Sequence, residues 1–443
     1  MKVNVLCILF MVCHWMALVE ARSLNRTHEY ILENGLKLII REDHRTPIVV
    51  SQMSYKVGSC YEHNGITGLS HVLEHMMFKG TKAYHGDKLE KLIFEEGGRQ
   101  NAYTTQDYTS YFQVLKASEL SLCFRLESDR MNNLVLQAED FYKEKKVVID
   151  ERLLRVENNP NALARERFYA AAYTGNTYQH PVIGWMSDIE GLSIKDLKSW
   201  YQAWYQPSNA VLVVVGDVKV DEVYKLAIQY FGMIESRDVL LMQSRKAFHI
   251  YGNRRVEVRL PVKVPKLFVG YNVPSVHTAE LDWEPFALKV LTAILDGGES
   301  SRFAKELIRE REIAISADVL YTPYVRHDTL FLLSGIPSNG KTLKDLEFAF
   351  FEEIHKLQTE LVEVVELESA KLKVTANGIY DEHSMRYQAF EISALEASGY
   401  QWQDVDIFTE KIQQITAKQI KVAARKYLFS DCLTVMYLIP TEQ

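Results

Sequence analysis

The chain has 443 residues, 47% of them hydrophobic and 25% charged, with a formal net charge of -7 at pH 7. Single cores stop growing at about 250 to 300 residues, so two domains are expected, and the composition excludes disordered, collagenous and wholly membrane-embedded chains. The acidic balance offers no basic field to a phosphate backbone, and no zinc-finger, helix-turn-helix or aromatic-basic pattern stands out, which argues against nucleic acid as a partner.

Lys2 precedes an almost wholly apolar stretch from Val5 to Val19, and Val19-Glu20-Ala21 offers a cleavage point ahead of Arg22. This pattern predicts a secretory signal over residues 1–21, with a bacterial periplasm as the compartment of the mature chain. A retained N-terminal anchor is the alternative; the stretch falls short of the roughly 20 residues of a membrane helix, and no later segment reads as a span. Removal of the signal leaves Cys60, Cys123 and Cys432. They make no disulfide framework and are expected as buried free thiols.

In chain order, Tyr30-Ile31-Leu32 and Leu36 to Ile40 flank Glu33-Asn34-Gly35 and predict a hairpin at a sheet edge. Ile48 to Val57 continues as a strand. Gly65 to Gly68 breaks the pattern, and Leu69 to Phe78 carries helical periodicity. A Tyr/Thr-rich strand region runs into Phe112 to Leu115, and Leu120 to Asn132 reads as a helix. A longer helix spans about Glu139 to Val156 and stops near Asn158-Asn159-Pro160. Ile194 to Tyr205 is an amphipathic helix, and Ala210 to Val215 is a buried strand closed by the turn at Gly216-Asp217.

Trp204 to Val215 and Lys426 to Tyr437 share one order of amphipathic helix, polar turn and apolar strand, so each closes one half of a duplicated chain. The expected fold class is α+β, with an N-terminal domain over 22–245 and a similar C-terminal domain over 246–443.

His71-Val72-Leu73-Glu74-His75 sets two imidazoles four residues apart on one helical face, with a carboxylate just before the second. Two neutral imidazoles suit Zn²⁺, a catalytic zinc needs a third protein ligand and an open position, and this order is an inverted zincin signature. Glu144 and Glu151 lie seven apart, close to two helical turns, so both can face the first helix from the second. Spacing alone does not decide between them. The assignment adopted puts Glu151 at the metal and Glu144 behind it, organising a histidine ring. Glu74, inside the histidine pair, is the general base that takes the proton of the attacking water.

These segments resemble the pitrilysin-type, or insulinase-like (M16), zinc peptidases, particularly the half-size group that includes the mitochondrial processing peptidase. Gly68 to Thr81 is similar to the family's inverted motif and its tail nearly throughout, and Glu144 to Glu151 to its distal segment. Gly97 to Thr104, Pro181 to Gly184 and Tyr205 to Asp217 are also family-like, so the likeness runs from about Tyr30 to Pro440. The resemblance implies one Zn²⁺ per chain on His71, His75 and Glu151, with Glu144 in support. It implies two homologous domains, each a mainly antiparallel sheet packed with helices, forming half of a clamshell, the second without metal. It further implies an endopeptidase that cuts extended or unfolded peptides in an enclosed chamber. There Asn101, Ala102 and Tyr103 offer edge-strand backbone to the substrate.

Leu295 to Phe303 resembles the family's glycine-rich helix entry, and Leu307 to Ile315 the stretch after it, where complete enzymes carry an arginine and a tyrosine that help bind substrate. Arg309 stands for the arginine, but Ile315 or Ser316 takes the tyrosine's place, and isoleucine donates no hydrogen bond. The tyrosine function is then dispensable, supplied by a displaced residue such as Tyr321 or Tyr324, or supplied by another chain. The last option implies a heterodimer with a homologous metal-free subunit, a homodimer being the alternative. A zinc-retaining non-catalytic subunit or a peptide-binding clamp is the rival function. The intact Glu74 argues against it, because a structural site has no use for an adjacent base.

Overall fold

The computed structural model describes residues 27–237, 239, 252–381 and 384–441. The expected signal over residues 1–21 and the domain boundary expected between residues 245 and 246 lie outside the described residues. Two sheets organise the chain. The first has β1 (Thr27–Ile31), β2 (Lys37–Glu42), β3 (Ile48–Tyr55), β4 (Arg99–Thr104), β5 (Thr109–Lys116) and β6 (Ala210–Gly216), in the order β1-β2-β6-β3-β5-β4. The second has β7 (Arg254–Leu260), β8 (Lys266–Val273), β9 (Ala314–Leu320), β10 (Thr329–Pro337) and β11 (Leu433–Pro440), in the order β7-β11-β8-β10-β9.

In each sheet one parallel pair, β2 with β6 and β7 with β11, leads into antiparallel neighbours that end on a free edge, β4 or β9. The duplication therefore extends through five strands of each half. The expected hairpin forms between β1 and β2, and Gly35 in its turn sits at φ 84, a left-handed conformation that costs a residue without Cβ little.

Seven helices position the site and the core: α1 (Leu69–Met76), α2 (Ala138–Arg152), α3 (Pro160–Ala172), α4 (Ile194–Trp204), α5 (Glu284–Asp296), α6 (Met385–Ser398) and α7 (Ala417–Tyr427). The closing helices α4 and α7 both start with a capping box, Ser193 with Asp196 and Thr416 with Gln419, and both run through a short 3-10 turn into β6 or β11. Helix α1 lies between β3 and β4, and α5 holds the equivalent place between β8 and β9. Helix α5, with the sequence EPFALKVLTAILD, contains no histidine, so the duplicated position offers no imidazole to a metal.

All seven residues of β6 are buried, which requires cover on both faces. Ala210, Leu212 and Val214 join the core that also holds Leu69, Val72, Leu73 and Met76 of α1. Val211, Val213 and Val215 pack against Met385, Ala389 and Ile392 of α6, together with Trp402, all from the second half of the chain. The exchange is reciprocal. Ala164, Phe168 and Ala172 of α3 lie on Val258, Phe268, Leu330, Leu332, Met436 and Leu438 of the second sheet. Gly270 makes room for that approach, since a Cβ there would meet the Phe168 ring at 2.8 Å. Burying aromatic and aliphatic side chains of this size stabilises by roughly 1.5 to 3 kcal/mol each. Each half thus depends on a helix lent by the other. Cys60, Cys123 and Cys432 are buried free thiols, as expected.

Candidate metal centre

Helix α1 has no side-chain N-cap. Its first turn is held by long-range partners instead. Gly68, at φ 87, precedes the helix, and Glu62 accepts hydrogen bonds from the backbone amides of Gly68 and Ser70, both at 2.7 Å. Asp188 accepts from the Gly65 amide at 3.0 Å and from Thr67 Oγ1 at 2.7 Å. The 181–184 loop closes over this corner so tightly that a Cβ on Gly184 would stand 2.5 Å from the Thr67 carbonyl oxygen. An eight-residue helix is too short to be stable alone, so these anchors supply what its own hydrogen bonds cannot. With Leu69, Val72, Leu73 and Met76 in the core, the opposite face presents His71, Glu74 and His75.

Helix α2 buries Phe141, Glu144, Val148 and Arg152. Arg152, next to Glu151, bonds both oxygens of Glu166 on α3 at 2.9 and 2.8 Å and donates to the Gly184 carbonyl at 2.7 Å. One buried guanidinium therefore ties the end of α2 to α3 and to the loop that braces α1. Beyond it the chain continues as a π-helical turn over Leu153–Glu157, a geometry frequent at functional sites.

His71, His75 and Glu151 each offer a ligand atom within 4.8 Å of the other two, and among the described residues they are the only such group of three. Nε2 of His75 stands 3.4 Å and Nε2 of His71 3.9 Å from Oε2 of Glu151, so the same nitrogen of each ring faces the carboxylate. The rings cross at 75° with centroids 4.9 Å apart. The second oxygen of Glu151 is paired with Arg155, one turn further on, at 2.9 Å. Glu144 approaches Nδ1 of His75 at 3.3 Å from behind. Glu74 receives a hydrogen bond from Thr104 of β4 at 2.5 Å, and burial raises its pKa against the opposing pull of that bond and of His75.

The insulinase (peptidase family M16) model matches residues 37–185, and the peptidase M16 inactive-domain model matches residues 191–374. The chain belongs to the M16 peptidase family. Zinc protease PqqE of Helicobacter pylori is 27% identical over 432 residues, covering 96% of this chain and 95% of that protein. A crystal structure of a protease from Helicobacter pylori superposes with a TM-score of 0.86 at 26% identity, covering 94% of this chain and 99% of the other. The periplasmic protease PqqL from Escherichia coli shares the fold with a TM-score of 0.79 at 19% identity, and 94% of this chain covers 47% of that one. The chain is thus a half-size M16 protein with the fold of half a clamshell.

The M16 group of three fits zinc on its own chemistry. Two imidazole nitrogens and one carboxylate oxygen make a three-ligand set that leaves a fourth position open. His71 Nδ1 is buried without a hydrogen-bond partner, and burial, then the charges of His75 and Arg155, push the pKa of His71 down to about 3. The ring is therefore neutral at physiological pH, the form that binds a metal. In zinc-free protein this has a measurable consequence. The unfolded chain takes up the His71 proton near pH 6.5 and the folded chain only near 3, so the group favours folding fully above 6.5 and progressively less below it. Between pH 6.5 and 5 the zinc-free wild type is expected to lose about 2 kcal/mol that His71→Gln does not lose. Urea titrations of both proteins at several pH values measure the difference; identical pH dependence would rule it out.

The edge strand β4 carries the three backbone candidates. Asn101 turns its side-chain oxygen onto the Ala102 amide at 2.9 Å, so that amide points to the free edge rather than to β5. Tyr103 accepts a hydrogen bond from Gln52 at 3.0 Å, and its ring lies 5.7 Å from Phe390 of α6. In the second half, Arg309 sits exposed in the π-helical segment Phe303–Glu310, and no described contact links it to the histidine pair. Ile315 is 58% exposed on the edge strand β9. Tyr321 does not serve as the displaced tyrosine: it is fully buried and donates to the Pro274 carbonyl at 2.7 Å. Tyr324 is half-buried and lines a cavity of about 1050 Å³ together with Thr105 to Tyr108 at the end of β4.

Thr104 and Arg155 join the site from outside the motif residues. Arg155 follows Glu151 at the four-residue spacing of a helical ion pair, a signal that was legible. Glu62 gave no such signal, because its partners are backbone amides across a turn.

Proposed function

We propose that this M16 protein is a zinc-dependent endopeptidase acting on extended or unfolded peptides. The observation that carries the reading is the convergence of His71, His75 and Glu151 beside a carboxylate, Glu74, that is outside the group of three and has one oxygen held by Thr104. A zinc ion on those three residues would supply Lewis acidity, acidifying a water and polarising a peptide carbonyl. Glu74 takes the water's proton as the oxygen attacks the carbonyl carbon, then delivers it to the amine nitrogen as the C–N bond breaks. Thr104 orients that carboxylate and leaves its other oxygen free for the water. The free edge of β4 at Ala102 gives an extended peptide a strand to pair with, the peptide taking the place of the Asn101 side chain on the amide. Arg309 is proposed to hold substrate at a distance from the metal.

The inactive-domain match over residues 191–374 excludes the metal-binding residues, which supports a catalytic first half and a metal-free second half in one chain. Residues 22–245 and 246–443 are the proposed domains. No helix among the described residues is long and apolar enough to cross a membrane. A periplasmic location after removal of residues 1–21 is proposed from the N-terminal pattern and the periplasmic neighbour. A homologous metal-free chain completing the clamshell is the proposed partner, the homodimer remaining the alternative. The test is cleavage of an unstructured peptide by the purified chain, alone and with any homologous chain that co-purifies. Activity should vanish with a chelator and return with zinc. Cleavage that survives complete zinc removal, or no cleavage by any zinc-loaded preparation, would refute the assignment.

A further inference from the structure

Lys79 lies in the tail that follows α1, and its ammonium nitrogen stands 2.6 Å from Oε1 of Glu144. The other oxygen of Glu144 faces Nδ1 of His75 at 3.3 Å. We propose that Lys79 is a positioning residue for the metal centre, orienting Glu144 so that His75 presents its Nε2 lone pair; this rests on the zinc reading above.

Glu144 is buried, and a carboxylate with a histidine as its only neighbour would be free to turn away from the ring. A Glu144 turned away leaves Nδ1 without its acceptor, and the ring is then free to carry its proton on Nε2, the nitrogen 3.4 Å from Glu151, where it blocks coordination. Turned to the ring, Oε2 of Glu144 accepts from Nδ1–H and leaves Nε2 bare. Lys79 selects this arrangement by direction, because engaging Oε1 turns Oε2 to the ring.

The tail is preformed for this task. Gly80, at φ 111, packs so closely that a Cβ would meet the Gly86 amide nitrogen at 2.6 Å. Thr81 accepts a hydrogen bond from the Tyr84 amide and donates to Asp129. Lys79 thus leaves α1 in a fixed direction. An ordinary surface ion pair would matter little to stability, since the Lys79 side chain is 36% exposed. The two roles therefore separate in experiment. A surface pair predicts neither a change in zinc affinity nor a change in histidine tautomer.

The test uses the full chain, stripped of metal and titrated with zinc against a chromophoric chelator, for wild type, Lys79→Met, Lys79→Arg, Glu144→Gln and the double variant Lys79→Met/Glu144→Gln. Lys79→Met should weaken zinc binding about tenfold, the low end of what loss of a ligand's supporting partner costs. Lys79→Arg should restore most of the affinity. The double variant should be no weaker than Glu144→Gln alone, because both act through one path. Imidazole nitrogen NMR of His75 should show a single Nδ1-protonated tautomer in wild type and a mixture in Lys79→Met. Thermal unfolding midpoints of the wild type and Lys79→Met should agree within a few degrees. Unchanged affinity in Lys79→Met, failure of Lys79→Arg to rescue, or additive losses in the double variant would overturn the proposal while leaving the zinc reading intact. A wild type that binds no zinc would overturn both.

Discussion

Glu74→Gln is expected to lower kcat for an unstructured peptide by about three orders of magnitude while zinc content stays at the wild-type level. General acid–base catalysis contributes roughly 10²- to 10⁴-fold, and Glu74 performs both proton transfers in the proposed reaction, so a value in the upper part of that range follows. Glutamine has nearly the same shape and keeps an oxygen that accepts the Thr104 hydrogen bond, so the helix face and the histidine pair should be undisturbed. It cannot take up a proton from water at neutral pH. Because Glu74 is not among the three proposed metal ligands, zinc affinity should change little. Steady-state kinetics with metal analysis on the same preparations decides the matter. A variant that cleaves like wild type would show that another group is the base.

Glu151→Gln should weaken zinc binding by about 100-fold or more, against about 10- to 100-fold for Glu144→Gln, whose loss acts through His75. The distinction follows from position. Oε2 of Glu151 faces both Nε2 atoms, whereas Glu144 touches the back of one ring. A neutral amide oxygen is a poorer ligand for a divalent cation than a carboxylate, and it also leaves Arg155 without its anionic partner, adding an uncompensated positive charge beside the site. Metal content after dialysis against a weak chelator separates the variants. Equal retention in Glu151→Gln and wild type would remove Glu151 from the ligand set, and a larger loss in Glu144→Gln would exchange the two roles.

The second half bears on activity differently. Its equivalent of α1 is the histidine-free α5, and with the Tyr321 hydroxyl committed to the Pro274 carbonyl the tyrosine function is left as dispensable, met by Tyr324, whose hydroxyl reaches the Asp404 carbonyl at 3.3 Å, or supplied by another chain. The cavity that Tyr324 lines begins at the β4–β5 turn, so it adjoins the strand proposed to hold substrate.

The sequence by itself determined the local geometry of the candidate metal centre. Imidazoles four apart in a helix share a face by the pitch of the helix alone, and so do carboxylates seven apart on the next one. It likewise determined the hairpin, the closing helix-turn-strand units of each half and the apolar run of β6, because periods of two and 3.6 residues are read within short windows. Only the tertiary structure decided which atoms meet. The choice of Nε2 over Nδ1, the pairing of Thr104 with Glu74 and of Lys79 with Glu144, and the burial of Tyr321 depend on how separate elements pack. The apolar face of β6 announced that both sides are covered, but no window of sequence names α6, more than 160 residues away, as the cover. Such contacts are set by the shape and volume of whole packed faces, which close-packing makes specific only once the chain has folded.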